Sequence, residues 1–240
     1  MTAMDGNDNA AALTLPPVFR AVHVRQDAFA AARGMAVAGG DAGTLVVADT
    51  GPEAVRLDLA VVLEPDRPAA SCFAALPIAM LAMADALAAV GPPFKPVGFA
   101  WPHELVLDGA VVGSARLALP KPSEAPVPAW LVVGLALQRR FTTETDEPGR
   151  TPERTALLEE GFGLVTPAEI VEAFAAHLLH WVDRWQEEGL GPATDHYRAR
   201  LVRPEAKSVR FDPQTFDLLR IGPPPSREGL AERLLLGPNP

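Results

Sequence analysis

FAWPHELVLDGAVVGSARLAL, residues 99–119, is the stretch that decides the fold. Its centre, Asp108-Gly109, suits a two-residue hairpin turn, because both central residues of that turn take positive φ. Leu105 and Leu107 precede the turn, and Val111, Val112, Leu117 and Leu119 follow it. The spacing predicts a hairpin in which 103–108 pairs with 110–118. The first strand opens on Trp101-Pro102-His103-Glu104, an aromatic, a residue without a backbone donor and two titratable groups in a row.

Working outward, DAFAAARGMAVA (27–38) has the alanine content and spacing of a helix with Asp27 as its N-cap. GTLVVAD (43–49) and RLDLAVVLEP (56–65) are expected strands; Leu57, Leu59 and Val61 alternate in the second before Pro65 ends it. The run 69–90, AASCFAALPIAMLAMADALAAV, is rich in alanine and carries Pro77 and Asp85. It is expected as a buried core helix and not a membrane span. AWLVVGLALQ (129–138) is apolar almost throughout, as a central strand covered on both faces would be.

Beyond 160 the order turns to helices. Thr166-Pro167-Ala168-Glu169 combines an N-cap, proline at the first helical position and the glutamate of a capping box. From there Ile170, Phe174, Leu178, Trp181 and Trp185 fall within about 80° of one another at roughly 100° per residue. That stripe is expected to face a core, with Trp181 against the sheet. The helix should stop at Gly189, and 195–201 should form part of another. The fold class predicted is α+β, with a mixed, mainly antiparallel sheet flanked by helices. Residues 1–15 are expected as a flexible leader, 16–202 as the domain and 203–240 as a short C-terminal extension. In that extension SVRFD and FDLLRI could pair, and SREGLAERLLL could form a helix capped by Ser226.

Composition narrows the functions. At 240 residues the chain can bury one substantial core. A net charge of −9, without any cluster of Lys and Arg, argues against nucleic acid as a partner. The start, MTAMDGNDNA, lacks the basic and apolar regions of a signal peptide, so a cytoplasmic protein is expected. Cys72, the single cysteine, excludes a disulfide framework and sits in an apolar run as a structural thiol would. His177 and His180 have a chelating spacing, but no third ligand accompanies them and no metal is expected. No Gly-x-Ser-x-Gly, P-loop or dinucleotide glycine pattern occurs, and the glycines at 39, 40 and 43 precede a strand and not a helix.

Trp101-Pro102, an acidic residue at 104 and a glycine at 113 opening the next strand resemble the signature hairpin of the biotin and lipoate protein ligase family, which reads Lys-Trp-Pro-Asn-Asp. A second likeness lies downstream. RTALLEEG (154–161) is similar to the family's Thr-Ser-Leu-x-Glu-x-Gly segment, and HWVDRWQEEGLGPATDHYRARL (180–201) to its closing helix pair. The resemblance covers about residues 15–202. It implies a small acid or acyl group (biotin, lipoate or octanoate) bound beside the hairpin strand, and a biotinyl or lipoyl carrier domain as the macromolecular partner. Trp101, His103, Glu104, Gly113 and Ser114 are the implied ligand-binding positions, with Arg116 and Arg56 as the nearby cations.

The departures bear on activity. Ala100 stands where the motif has its catalytic lysine, and Lys95 is the nearest substitute. The family's arginine-rich loop over the adenylate is replaced by the connector TGPEAV (50–55), with Arg56 just after it, and His103 replaces the usual asparagine. Donors aimed at a developing charge carry much of such a reaction, so the resemblance implies the fold while the losses argue against ATP as a cofactor. No catalytic residue is assigned. Two functions remain: a module that binds an acyl cofactor or a carrier protein without adenylation, and an active acyltransferase or ligase. A purely architectural role for the WPHE tetrapeptide is the third possibility.

Overall fold

The computed structural model describes residues 13–25, 27–48, 51, 54–121, 126–142 and 152–202, and the backbone of two short strands beyond them. A seven-stranded sheet runs in the order β1-β2-β3-β7-β6-β5-β4. Its strands are β1 (Arg20–Val24), β2 (Thr44–Ala48), β3 (Arg56–Leu63), β4 (Val97–Ala100), β5 (Glu104–Leu107), β6 (Ala110–Ala118) and β7 (Leu131–Gln138). Only β1 and β2 pair in parallel, joined by α1 (Ala28–Val37); every other neighbouring pair in this sheet is antiparallel. β7 lies at the centre with seven of its eight residues buried, as its unbroken apolar run predicts.

The sheet carries a different cover on each face. On one, Leu57, Leu59, Val133, Leu135 and Leu117 pack with α3 (Ala75–Val90) and, beyond it, α4 (Pro167–Glu188) and α5 (Gly191–Ala199). On the other, Val46, Ala60, Val62, Val132 and Ala118 pack under α1. The run 69–90 is 72% buried over its most apolar window, and its side chains build the larger core. It is not one helix, however. α2 (Ala69–Cys72) ends before Phe73, and α3 begins at Ala75. A proline inside a helix lacks the N–H and clashes with the carbonyl four residues back. The break puts Pro77 in the first turn of α3, where no such partner is required.

The Asp108-Gly109 turn forms as expected, with φ of 50° and 94°, and β5 pairs with β6 across it. The start of the hairpin differs from the reading above. Trp101, Pro102 and His103 do not begin a strand; they turn the chain between β4 and β5, with a cis bond between Trp101 and Pro102. Strand β1 is a further addition, a sheet edge whose Val22 and Val24 rest on the smaller core. At the N-terminal side, Leu13 and Leu15 pack on the larger core, and the backbone N–H of Thr14 donates to Glu172 Oε1 at 2.7 Å.

Helix α4 starts at the capping box of Thr166 and Glu169 and stops at Gly189, whose φ is 75°. Ile170, Phe174, Leu178 and Trp181 are buried and Trp185 partly so. Trp181 does not face the sheet as expected. Its Nε1 donates to Asp85 Oδ2 of α3 at 2.7 Å, and its ring meets His196 of α5 edge-on at 5.3 Å. Asp85, the charge in the apolar run, also accepts from Arg200 Nη2 at 2.6 Å and so ties α3 to α4 and to the residue that closes α5. β8 (Arg210–Phe211) and β9 (Leu218–Leu219) pair antiparallel, within SVRFD and FDLLRI. The expected helix after Ser226 lies outside the described residues.

Candidate functional site

Residues directly opposed in antiparallel strands share a face of the sheet. The register therefore lines up Asp58, Ala136, Ser114, Glu104 and Ala100 in one row across β3, β7, β6, β5 and β4. The row is on the α1 face, beyond the patch α1 covers. Asp58, Ser114 and Glu104 are half-buried; this row and the side chains beside it are called the cleft below.

The side wall is charged. Arg116 lies between the row and α1; its guanidinium is 4.6 Å from the centre of the Phe29 ring and 3.4 Å from Asp27 Oδ1. Asp27 caps α1 by accepting from the N–H of Ala30 at 3.0 Å. Phe29 rests on bare backbone, since a Cβ at Gly134 would stand 2.5 Å from its Cδ2. Arg56 Nη2 is 3.1 Å from Asp58 Oδ1. Burial pushes the Asp58 carboxyl above the usual range, with Arg56 and Arg116 pulling it down and Asp27 adding to the rise.

Of the positions implied by the sequence, Arg56, Glu104, Ser114 and Arg116 come together on this face. Gly113 is on the other face, in register with Leu105 and Leu137. A Cβ there would lie 2.3 Å from the Ala136 carbonyl oxygen. Trp101 packs against the larger core, edge-on to Tyr197 at 6.4 Å. His103 is in the turn, and its carbonyl accepts from Ala115 N at 2.8 Å. Sequence reasoning missed Asp58, Asp27 as a cleft residue, and Phe29. The signal for Asp58 was present, a carboxylate alternating with the core leucines of RLDLAVVL.

Ala100 ends the row, 7% exposed and opposite Glu104. Lys95 does not replace a lysine there. Its Nζ is 2.7 Å from both Asp108 and Glu160, at the opposite end of β5 from the Trp101 turn. Glu160 also accepts from Thr155 Oγ1 at 2.6 Å, and 153–155 hydrogen-bonds to Val111. The segment 154–161 thus clamps the hairpin. Between β2 and β3, the carbonyls of Gly51 and Ala54 accept from Arg139 Nη1 at 3.3 and 3.2 Å.

The two stretches that carry the sequence likeness meet behind the cleft. Tyr197, fully buried, stacks on Phe99 at 4.7 Å and donates its hydroxyl to the Pro102 carbonyl at 3.3 Å. Burial raises that phenol. Residues 200–202 then add to the edge of β4 through Phe99. The model of the biotin/lipoate A/B protein ligase family matches residues 15–199. The chain belongs to that family.

Among solved structures of the family, a biotin protein ligase-like protein of unknown function from Silicibacter sp. TM1040 is 32% identical, with a TM-score of 0.72 over 84% of this chain and 85% of that one. The biotin protein ligase of Aquifex aeolicus shares the fold at 15% identity, with a TM-score of 0.62 over 77% and 78%. Among curated proteins, the biotin–[acetyl-CoA-carboxylase] ligase of Paracoccus denitrificans is 27% identical over 145 residues. That match spans 60% of this chain and 59% of the ligase.

Proposed function

We propose that this chain is a ligase-fold binding protein that takes a small acid or acyl group into the α1-face cleft and makes no acyl-adenylate from ATP. The observation that carries this reading is Ala100 at the end of the cleft row, with Lys95 held by two carboxylates at the far end of β5. A ligase of this fold from Aquifex aeolicus binds biotin and ATP. Among the described residues, Arg56 and Arg116 are the cations beside the row, each next to a carboxylate. They suit the single negative charge of an acid better than a triphosphate. Transfer of an acyl group through a cysteine is disfavoured. Cys72 is buried against the other face, and burial pushes its thiol up to about 11. A biotinyl or lipoyl carrier domain is the macromolecular partner this reading favours.

The test combines pyrophosphate release with thermal shift, using ATP and biotin, lipoate or octanoate, beside the Aquifex aeolicus enzyme. The expected result is no release above background, a Tm raised by at least one acid without ATP, and loss of that rise in Arg116→Ala. Turnover comparable with the control would overturn the reading.

A further inference from the structure

A second site lies on the other face of the sheet. A cavity of about 210 Å³ opens between the paired ends Leu63 and Leu131, the start of α3 at Ile78, and Leu178, Val182 and Trp185 of α4. Leu63 is five residues along β3 from Asp58, about 17 Å away along the strand, so this space is separate from the cleft. Its wall is leucine, isoleucine, valine, alanine, Pro65, Cys72 and an indole, with the uncharged amide of Gln186 beside them. Protein interiors hold few voids larger than a water molecule, and an empty one weakens its surroundings in proportion to its volume. An apolar cavity of about 150 Å³ is enough to take up benzene, so this one has room for a substituted ring.

The rim selects among such molecules. Glu64, Asp66 and Arg67 stand there, two carboxylates against one guanidinium, a net charge of −1. Arg67 is already engaged, its Nε 3.2 Å from Asp66 and its guanidinium stacked 4.6 Å from the centre of the Trp185 ring. That balance disfavours an organic anion. A cation would lose hydration in an apolar space and compete with Arg67 for the indole. We propose that this cavity is a binding site for a small, neutral, apolar molecule of the size of a substituted benzene. It is independent of the acid-binding cleft.

The lone cysteine supplies a native reporter, because Cys72 lines the cavity. The full chain is titrated with acetophenone, benzoate and benzylammonium, read by calorimetry and by the rate at which iodoacetamide alkylates Cys72. Acetophenone is expected to bind and to slow alkylation, with the two ions binding at least about tenfold more weakly. Val182→Phe and Ala75→Leu, which fill the space, are each expected to weaken acetophenone at least about tenfold without lowering Tm. Where one of the two does not fold, the other and the alkylation rate decide. The proposal is overturned by no acetophenone binding up to about 1 mM, by binding that survives filling, or by benzoate or benzylammonium binding as tightly as acetophenone.

Discussion

Asp58 is a carboxylate in a strand whose residues 57 and 59–62 are buried in the core, and the cleft is what it faces. Its folded pKa is raised, chiefly by burial. The stability it contributes is therefore fully present when it is protonated, below its ordinary value of 3.8, and is lost as pH rises through the folded value. Asn at this position mimics the protonated form. Relative to wild type, Asp58→Asn should gain Tm as pH rises from the acid side toward neutrality, with the gap smallest below 3.8. Paired melting curves across that range test this, and a gap that widens toward acid pH would mean that Arg56 and Arg116 outweigh burial. Alternation in the sequence could have singled Asp58 out; that Arg116 of β6 and Asp27, the cap of α1, lie near it could not be read that way.

At the scale of elements, α4 is the most legible part of the chain. Its capping box, its apolar stripe and its terminal glycine are local signals, and each is where the sequence puts it. What the stripe packs against is not a local property. The indole of Trp181 is bound by Asp85 of α3, whose own place looked like an interruption of an apolar run. Trp181→Ala should cost about 3–5 kcal/mol in urea unfolding, the range for truncating a buried aromatic. Trp181→Phe should cost less than Ala while still leaving Asp85 short of a donor. An unchanged midpoint in the alanine variant would sink this account of α4. The hairpin teaches the same lesson in reverse. Asp108-Gly109 is a strong local turn signal, whereas the turn at Trp101–His103 depends on Tyr197, 95 residues from Pro102.

The whole molecule decides whether a site can work. The chemistry that the family resemblance implies needs several donors converging on one developing charge, and the sequence has Ala100 at the motif's lysine and no arginine in TGPEAV. Restoring the lysine alone should therefore fail. Ala100→Lys places the new cation opposite Glu104, while the connector from 49 to 55 still contains no arginine. Pyrophosphate release with ATP and each acid should stay at the wild-type background; release well above it would show that Arg56 or Arg116 completes the site. By itself the sequence determined the α+β class, the Asp108-Gly109 hairpin, the central position of β7 and the boundaries of α1 and α4. Those follow from turn chemistry, side-chain alternation and capping, which act within a few residues. Tertiary structure alone decided that Gly113 serves strand packing, that Lys95 is held away from Ala100, and that Asp58, Ser114, Glu104 and Arg116 share one cleft. Strand order and register set those distances, and they are fixed by contacts between residues far apart in the chain.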